Sequence, residues 1–171
     1  MMQKKIQDAL NAQLNAESYS AHLYMSMSAY FQSVNLKGMA HWMRRQAEEE
    51  TMHEMKFFDY ILSRGGKVAL GQIGAPPTDW ESPLAVFEAA YEHERQVSAK
   101  VNTLVDLALA ESDHASNAFL QWFVTEQVEE EESVLEIVDQ LKLIGDDRGA
   151  LFMLDRELGQ RAPVTTTPPE A

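Results

Sequence analysis

Apolar residues recur in alternating steps of four and three along four long stretches of the chain. This spacing keeps them on one face of an α-helix, which is typical of helices that pack around a common core. The pattern predicts four long helices and a short fifth one, at residues 3–33, 39–64, 83–111, 115–144 and 147–158. Glycine and proline agree with these bounds, because they are concentrated in residues 65–83 and neither occurs between Leu84 and Ile144.

The lengths of the connections predict how the helices are arranged. Short turns join the first helix to the second and the third to the fourth, so each pair is expected to be antiparallel. The connection of about 18 residues between the second and third helices can reach about 59 Å, whereas the second helix is only about 39 Å long. The expected fold is therefore all-α: an antiparallel four-helix bundle with one long crossover between the second and third helices and a short fifth C-terminal helix. The alternative is an up-down bundle in which the long connection is only a loop.

One domain accounts for most of the chain. Its 171 residues, of which 45% are hydrophobic, are enough for a substantial core. Residues 1–160 are expected to form this domain. Residues 161–171 are rich in threonine and proline and are expected to be a disordered tail.

Six polar residues interrupt the apolar faces near the middle of the four long helices: Glu17, Glu50, His53, Glu94, Gln127 and Glu130. In the third helix, the predicted core-facing positions are Leu84, Phe87, Tyr91, Glu94, Ser98, Val101, Val105 and Ala108. The six polar residues can meet in one layer across the bundle. Burying each carboxylate without a counter-charge costs several kcal/mol or more, about the cost of any lone buried ion. The apolar faces offer no Lys or Arg at this depth, so metal cations are expected to supply the charge.

The donor set predicts which metal ions these residues bind. Carboxylates with one imidazole and one amide suit Fe, Mn or Zn. Glu50 and His53 lie one helical turn apart, and a Glu-x-x-His pair with single glutamates from other helices matches the di-iron carboxylate pattern. On the fourth helix, Gln127-x-x-Glu130 replaces a second Glu-x-x-His, which makes the two metal positions unequal.

A second acidic group flanks the first. Glu49, Glu126 and Glu129 lie next to the core-facing positions, and Glu130 could be shared between the two groups. These residues either bind a third metal ion or form an ordinary solvated face.

Two aromatic residues are candidates for supporting roles. Tyr24 lies two core-facing steps after Glu17, where it could hydrogen-bond to a ligand, donate an electron, or only fill the core. Trp122 is a weaker candidate for the same roles. The other histidines are expected at the surface, at positions His22, His41, His93 and His114.

Composition excludes several classes of function. With 27 acidic and 14 basic residues the formal charge is −13, which argues against nucleic acid or an anionic membrane as a partner. The chain has no cysteine, so disulfides, zinc ribbons, Fe–S clusters and thiol nucleophiles are excluded. The N-terminal residues lack the apolar stretch of a secretory signal, and no apolar run is long enough to span a membrane. A cytoplasmic location is expected.

Three motifs carry a resemblance to a known family. They are Asn11-x-x-x-Asn15-x-Glu17, Ala47-Glu48-Glu49-Glu50-x-x-His53 and Phe119-Leu120-Gln121-Trp122-Phe123-Val124-x-Glu126-Gln127-x-Glu129-Glu130. From about residue 7 to residue 158 the chain resembles bacterial non-haem ferritins. The resemblance implies that the six core residues form the ferroxidase pair, that Glu49, Glu126, Glu129 and Glu130 form a third iron site, and that Tyr24 lies near the centre.

The resemblance also implies an activity and an assembly. Two Fe(II) ions per chain would be oxidised by O2 or peroxide, and the ferric product would be stored as mineral in a shell of twenty-four subunits. The short fifth helix would surround the four-fold axes; the alternative is that it caps its own bundle. No haem is expected, because Thr51 stands where the haem-binding relatives have methionine. The residues at the start of the fourth helix differ from the iron-entry residues of animal ferritins, so Asp113 or Glu111 could contribute to the route.

Three other functions compete with this one. A storage shell without oxidase activity would be expected to lack the ligands, and all six are present. A rubrerythrin-like peroxide reductase would need a cysteine-bound iron domain, which the composition excludes. A metal-free bundle that binds a protein partner is the remaining alternative.

Overall fold

The computed structural model describes residues 2–163, which fold into five α-helices without a strand. The helices are α1 Lys4–Ser33, α2 Lys37–Ser63, α3 Pro83–Ala110, α4 His114–Ile144 and α5 Arg148–Leu158. The all-α prediction is therefore confirmed, with helix bounds within two residues of those expected. Residues 164–171, most of the predicted tail, lie outside the described residues. Within residues 2–163, no helix is long and apolar enough to cross a membrane.

The crossover, residues 64–82, lies along the whole length of α1. Near its start, the Asn11 side chain donates to the Lys67 carbonyl (2.9 Å) and accepts from the Ala69 amide (2.8 Å). Near its end, the Trp80 ring packs against Tyr30 with 5.5 Å between centroids. Because these contacts fix both ends of the connection, the up-down alternative is excluded.

The crossover makes α2 and α3 parallel. Trp42 at the start of α2 packs against Phe87 at the start of α3, with 5.5 Å between the ring centroids. Helix α4 is antiparallel to α2, because Phe57 near the end of α2 packs against Phe119 near the start of α4. The short turns α1–α2 and α3–α4 complete the predicted bundle.

The core-facing side of α3 differs in part from the prediction. Its buried residues are Val86, Phe87, Ala90, Glu94, Val97, Val101, Leu104 and Ala108. The predicted positions Leu84, Tyr91, Ser98 and Val105 are only half-buried. Every seventh residue from Phe87 to Ala108 is buried as predicted, and this series includes Glu94. The second core-facing position of each repeat lies one residue earlier than predicted, at Ala90, Val97 and Leu104, because the steps of three and four occur in the opposite order.

The apolar core is divided into two clusters. One contains Met27, Phe31, Met43 and Phe87, and the other contains Leu10, Leu14, Phe57 and Phe123. The six polar residues lie between these clusters. Apolar packing on both sides fixes the helices around this layer and keeps it away from water.

Helix α5 packs against the start of α2. The Asp155 carboxylate accepts a hydrogen bond from the Met39 amide (2.8 Å), one of the amides that a helix N-terminus leaves without a partner. Leu154 and Leu158 are buried, whereas Phe152 and Met153 are exposed. Within this chain the helix therefore caps its own bundle and leaves an apolar face outward.

Gly38 permits the close approach of α5. A Cβ atom built at this position would lie 1.6 Å from the Asp155 carbonyl oxygen, which is backbone and cannot rotate away. Only glycine fits here without moving α5 from α2.

We expect Gly38→Ala to destabilise the chain by about 1–3 kcal/mol, because overpacking a rigid backbone contact costs that much. Thermal unfolding and hydrogen exchange of α5 measure the effect. Gly74→Ala is the matched control, since a Cβ there meets nothing within 4 Å. Because alanine has a higher helix propensity than glycine, Gly38→Ala would raise stability if there were no steric conflict. An unchanged or higher stability therefore contradicts the prediction.

Candidate metal centre

The six predicted ligand residues meet in one buried layer. Helix α1 contributes Glu17, α2 contributes Glu50 and His53, α3 contributes Glu94, and α4 contributes Gln127 and Glu130. Each is at most 5% exposed. They reach this layer because each occupies a core-facing position near the middle of its helix.

The carboxylates and the imidazole form two overlapping groups. Ligand atoms of Glu17, Glu50 and His53 lie within 4.8 Å of one another, and so do those of Glu50, Glu94 and Glu130. Glu50 belongs to both groups. This arrangement can hold two metal ions with one carboxylate between them, and paired metal ions in proteins are about 3.5–4 Å apart.

Burial changes the protonation of these carboxyls. Burial, together with the neighbouring Glu50, raises the pKa of Glu17 to about 8. Burial likewise raises the pKa of Glu50 and of Glu130 well above the usual range, and that of Glu94 above its ordinary value. No Lys or Arg of residues 2–163 forms an ion pair with these four. Without cations the layer retains protons, and metal ions would displace them.

Two polar atoms of the layer lack a partner. Glu17 Oε2 and His53 Nε2 are buried and form no hydrogen bond within the described chain; the third such atom there, Arg45 Nε, lies elsewhere. His53 Nδ1 lies 3.4 Å from a Glu50 oxygen. Buried polar atoms are nearly always satisfied, so these two fit the lining of a metal site.

Two glutamines position the carboxylates, and the sequence prediction missed both. Gln13 donates to Glu17 (2.7 Å), one turn later on α1. Gln46 donates to Glu50 (3.1 Å) and to Glu130 (2.7 Å). Each glutamine precedes its carboxylate by four residues, which places both side chains on one helix face. The spacing of four residues was the sequence signal that could have identified both glutamines.

Tyr24 and Gln127 both contact Glu94. The buried Tyr24 hydroxyl donates to one carboxylate oxygen, and the Gln127 amide donates to the other at 3.1 Å. Gln127 also donates to the Glu94 carbonyl at 3.3 Å. Metal binding by the side-chain oxygen of Gln127 stays a prediction. The side-chain nitrogen of Gln127 donates to Glu94 and thereby orients this carboxylate.

The outer acidic group forms only in part as predicted. Ligand atoms of Glu49, His53, Glu126 and Glu130 lie within 4.8 Å of one another. Glu129 is exposed and not in this group. Adjacent helix residues point about 100° apart, so Glu129 is turned away from the face that carries Glu130.

Burial differs from the prediction at two of the four remaining histidines. His93 is half-buried, and its Nε2 lies 2.8 Å from Ser20 Oγ; burial lowers the pKa of His93 to about 4. His41 is also half-buried and contacts the Arg161 carbonyl (3.0 Å). His22 and His114 are exposed as predicted.

Trp122 and the candidate entry residues have defined contacts. The Trp122 ring packs edge-on against His53 with 5.4 Å between centroids. Asp113 pairs with Arg64 (3.1 Å) and Glu111 with Lys5 (2.6 Å). Both carboxylates are paired within this chain, and their contribution to an iron route stays a prediction.

Comparison with known proteins agrees with this architecture. A family model described as "Ferritin-like domain" matches residues 7–144. The bacterial non-heme ferritin of Bacteroides fragilis is 48% identical over 161 residues, covering 94% of this chain and 100% of the relative. That of Staphylococcus saprophyticus is 40% identical, covering 95% and 97%. An open pore ferritin from Archaeoglobus fulgidus has a TM-score of 0.94 at 52% identity, covering 95% of this chain and 100% of the other.

The match extends over nearly the whole of each relative, and the range matched by the family model contains the crossover and all six residues of the buried layer. The resemblance inferred from the three motifs is confirmed. The chain belongs to the ferritin family.

Proposed function

We propose that this protein stores iron and oxidises Fe(II) at the buried layer, as a ferroxidase. One observation carries the proposal: two ligand groups share Glu50 inside a buried layer whose carboxylates pair with no Lys or Arg of the described chain. Iron is the substrate here, and the donor set of carboxylates and imidazole suits Fe(II). The ferritin relatives, which this chain matches over nearly their full length, support the same assignment.

Each residue has a distinct part in the proposed site. Glu50 bridges the two Fe(II) ions, Glu17 and His53 hold one, and Glu94 and Glu130 hold the other. Two Fe(II) ions give up one electron each, and O2 takes both with two protons to leave as hydrogen peroxide. Anionic ligands favour Fe(III) over Fe(II), so a carboxylate-rich site assists the oxidation.

We assign supporting roles to the surrounding residues. Tyr24 and Gln127 keep Glu94 in place through their hydrogen bonds, and Gln127 is a further candidate ligand through its oxygen. Glu49, Glu126 and Glu130 are proposed to bind a third iron ion, with His53 at its border. Glu129 is a candidate only if its side chain turns inward.

We propose that twenty-four copies form a shell that encloses the ferric mineral and serves storage and detoxification in the cytoplasm. The outward apolar residues Phe152 and Met153 on α5 support a contact between copies. No haem is part of the proposal.

The first test compares Fe(II) oxidation in the wild-type protein and in Glu50→Ala and His53→Ala. Loss of a ligand is expected to slow the fast phase, which consumes about two Fe(II) per chain, by more than roughly tenfold. Oxygen uptake and diferric absorbance after mixing with Fe(II) measure it. Glu132→Gln is the matched control, because this exposed carboxylate lies on α4 away from the layer. Unchanged rates in the ligand variants would reject the assignment.

The raised pKa of Glu17 predicts how stability depends on pH in the metal-free protein. Between its ordinary value of 4.5 and about 8, the folded state binds a proton that the unfolded state has lost. The free energy of unfolding therefore falls as pH rises through this window. In Glu17→Gln the free energy of unfolding is expected to fall less steeply with pH than in wild type. The difference in slope is up to about 1.4 kcal/mol per pH unit. Melting temperatures across the window test this, with Glu132→Gln expected to follow wild type; equal slopes in all three proteins count against it.

The assembly is tested by native mass spectrometry. Twenty-four copies of the 19.3 kDa chain amount to about 460 kDa, and closed symmetric shells give a single discrete mass. A protein that remains a monomer or dimer at micromolar concentration contradicts the shell.

A further inference from the structure

Arg161, three residues beyond the end of α5, reaches into the outer acidic group. The sequence prediction assigned it to a disordered tail, and the structure departs from this expectation. Its guanidinium donates to Glu49 Oε2 at 2.7 Å and stacks on the Trp42 ring at 4.4 Å. Its carbonyl oxygen lies 3.0 Å from the ring nitrogen of His41. Several independent contacts therefore fix this residue.

The same guanidinium also contacts a residue that positions the metal ligands. Its second nitrogen donates to Gln46 Oε1 at 2.9 Å. Since the Gln46 oxygen is then occupied as an acceptor, its nitrogen faces Glu50 and Glu130 and donates to both. Arg161 thus selects one of the two orientations of this amide.

The position of Arg161 has an electrostatic consequence. Glu49 belongs to the outer group with His53, Glu126 and Glu130. Glu49 and Arg161 are each about four-fifths buried (17% and 24% exposed), so water screens their charges only partly. A divalent ion bound at the outer group would share Glu49 with the guanidinium and would be repelled by its positive charge.

We propose that Arg161 is the resident cation of the outer carboxylates and competes there with a third metal ion. Metal binding at this group weakens the docking of Arg161, and the docking of Arg161 weakens metal binding by the same factor. The C-terminal segment after α5 therefore regulates the outer group by its charge, and it reaches the inner pair only through the orientation of Gln46. This inference rests on the third metal position of the proposed function.

The test titrates Zn(II), which cannot be oxidised, into the metal-free assembled protein by calorimetry. In Arg161→Gln the affinity for the third Zn(II) per chain is expected to rise about fivefold or more, a typical size of coupling between sites. Arg161→Lys keeps the charge and should stay near wild type. Arg156→Gln is the matched control, because it removes the same charge from an exposed position of α5.

Hydrogen exchange gives a second measurement that does not depend on activity. The Arg161 amide donates to the Leu158 carbonyl at 3.3 Å. The third equivalent of Zn(II) should accelerate exchange in residues 159–161 of the wild type, whereas the first two should not.

The outcomes distinguish a failure of this inference from a failure of the proposed function. Equal third-site affinities in wild type and Arg161→Gln overturn the competition while the third site stands. An equal gain in Arg156→Gln assigns the effect to net charge and also overturns it. If no protein binds a third ion but all bind two, the outer site and this inference fail while the inner pair stands. Failure to bind even two rejects the proposed function itself.

Discussion

Four carboxyl groups are packed into a dry layer in which no Lys or Arg of residues 2–163 forms an ion pair with them, and this is the constraint on which the structure depends. Apolar clusters above and below exclude water, and burial raises the pKa of each group. Such a layer is costly in a metal-free chain, since each group is either protonated or an uncompensated ion. Loss of the protons leaves uncompensated negative charge, so a bound cation allows all four groups to ionise without moving the helices.

The fold brings these groups together through one long connection. Asn11 holds the crossover to α1 by two hydrogen bonds, and Trp80 packs against Tyr30 at the other end. The four long helices are of similar length and pack side by side, so their midpoints fall at the same depth. A polar residue near the middle of any helix then faces the same layer, which explains how separate parts of the chain build one site.

The helices, the topology and the inner ligands could be predicted because each leaves a local signal: apolar periodicity, loop length, or a polar residue on an apolar face. Contacts between distant segments leave no such signal. The partners of His93 and Arg161 come from other helices, and only the folded chain brings them close. Gln46 was detectable, since it lies four residues before Glu50 on the same face of α2. Part of the α3 face was misplaced because steps of three and of four both keep residues on one helix face, and their order was assigned the wrong way round. Glu129 is adjacent to the core-facing Glu130, and adjacent helix residues point about 100° apart.

The two halves of the inner site are chemically unequal. One group combines Glu17 and Glu50 with the imidazole of His53, and the other contains only carboxylates. The all-carboxylate half has the greater negative charge, so it should favour the higher charge of Fe(III). Yet its Glu94 receives hydrogen bonds from Tyr24 and Gln127, which disperse that charge and weaken its donation to a metal. A neutral amide in place of a fifth carboxylate thus offsets the excess charge: it orients a ligand while adding no anion to a layer already difficult to bury.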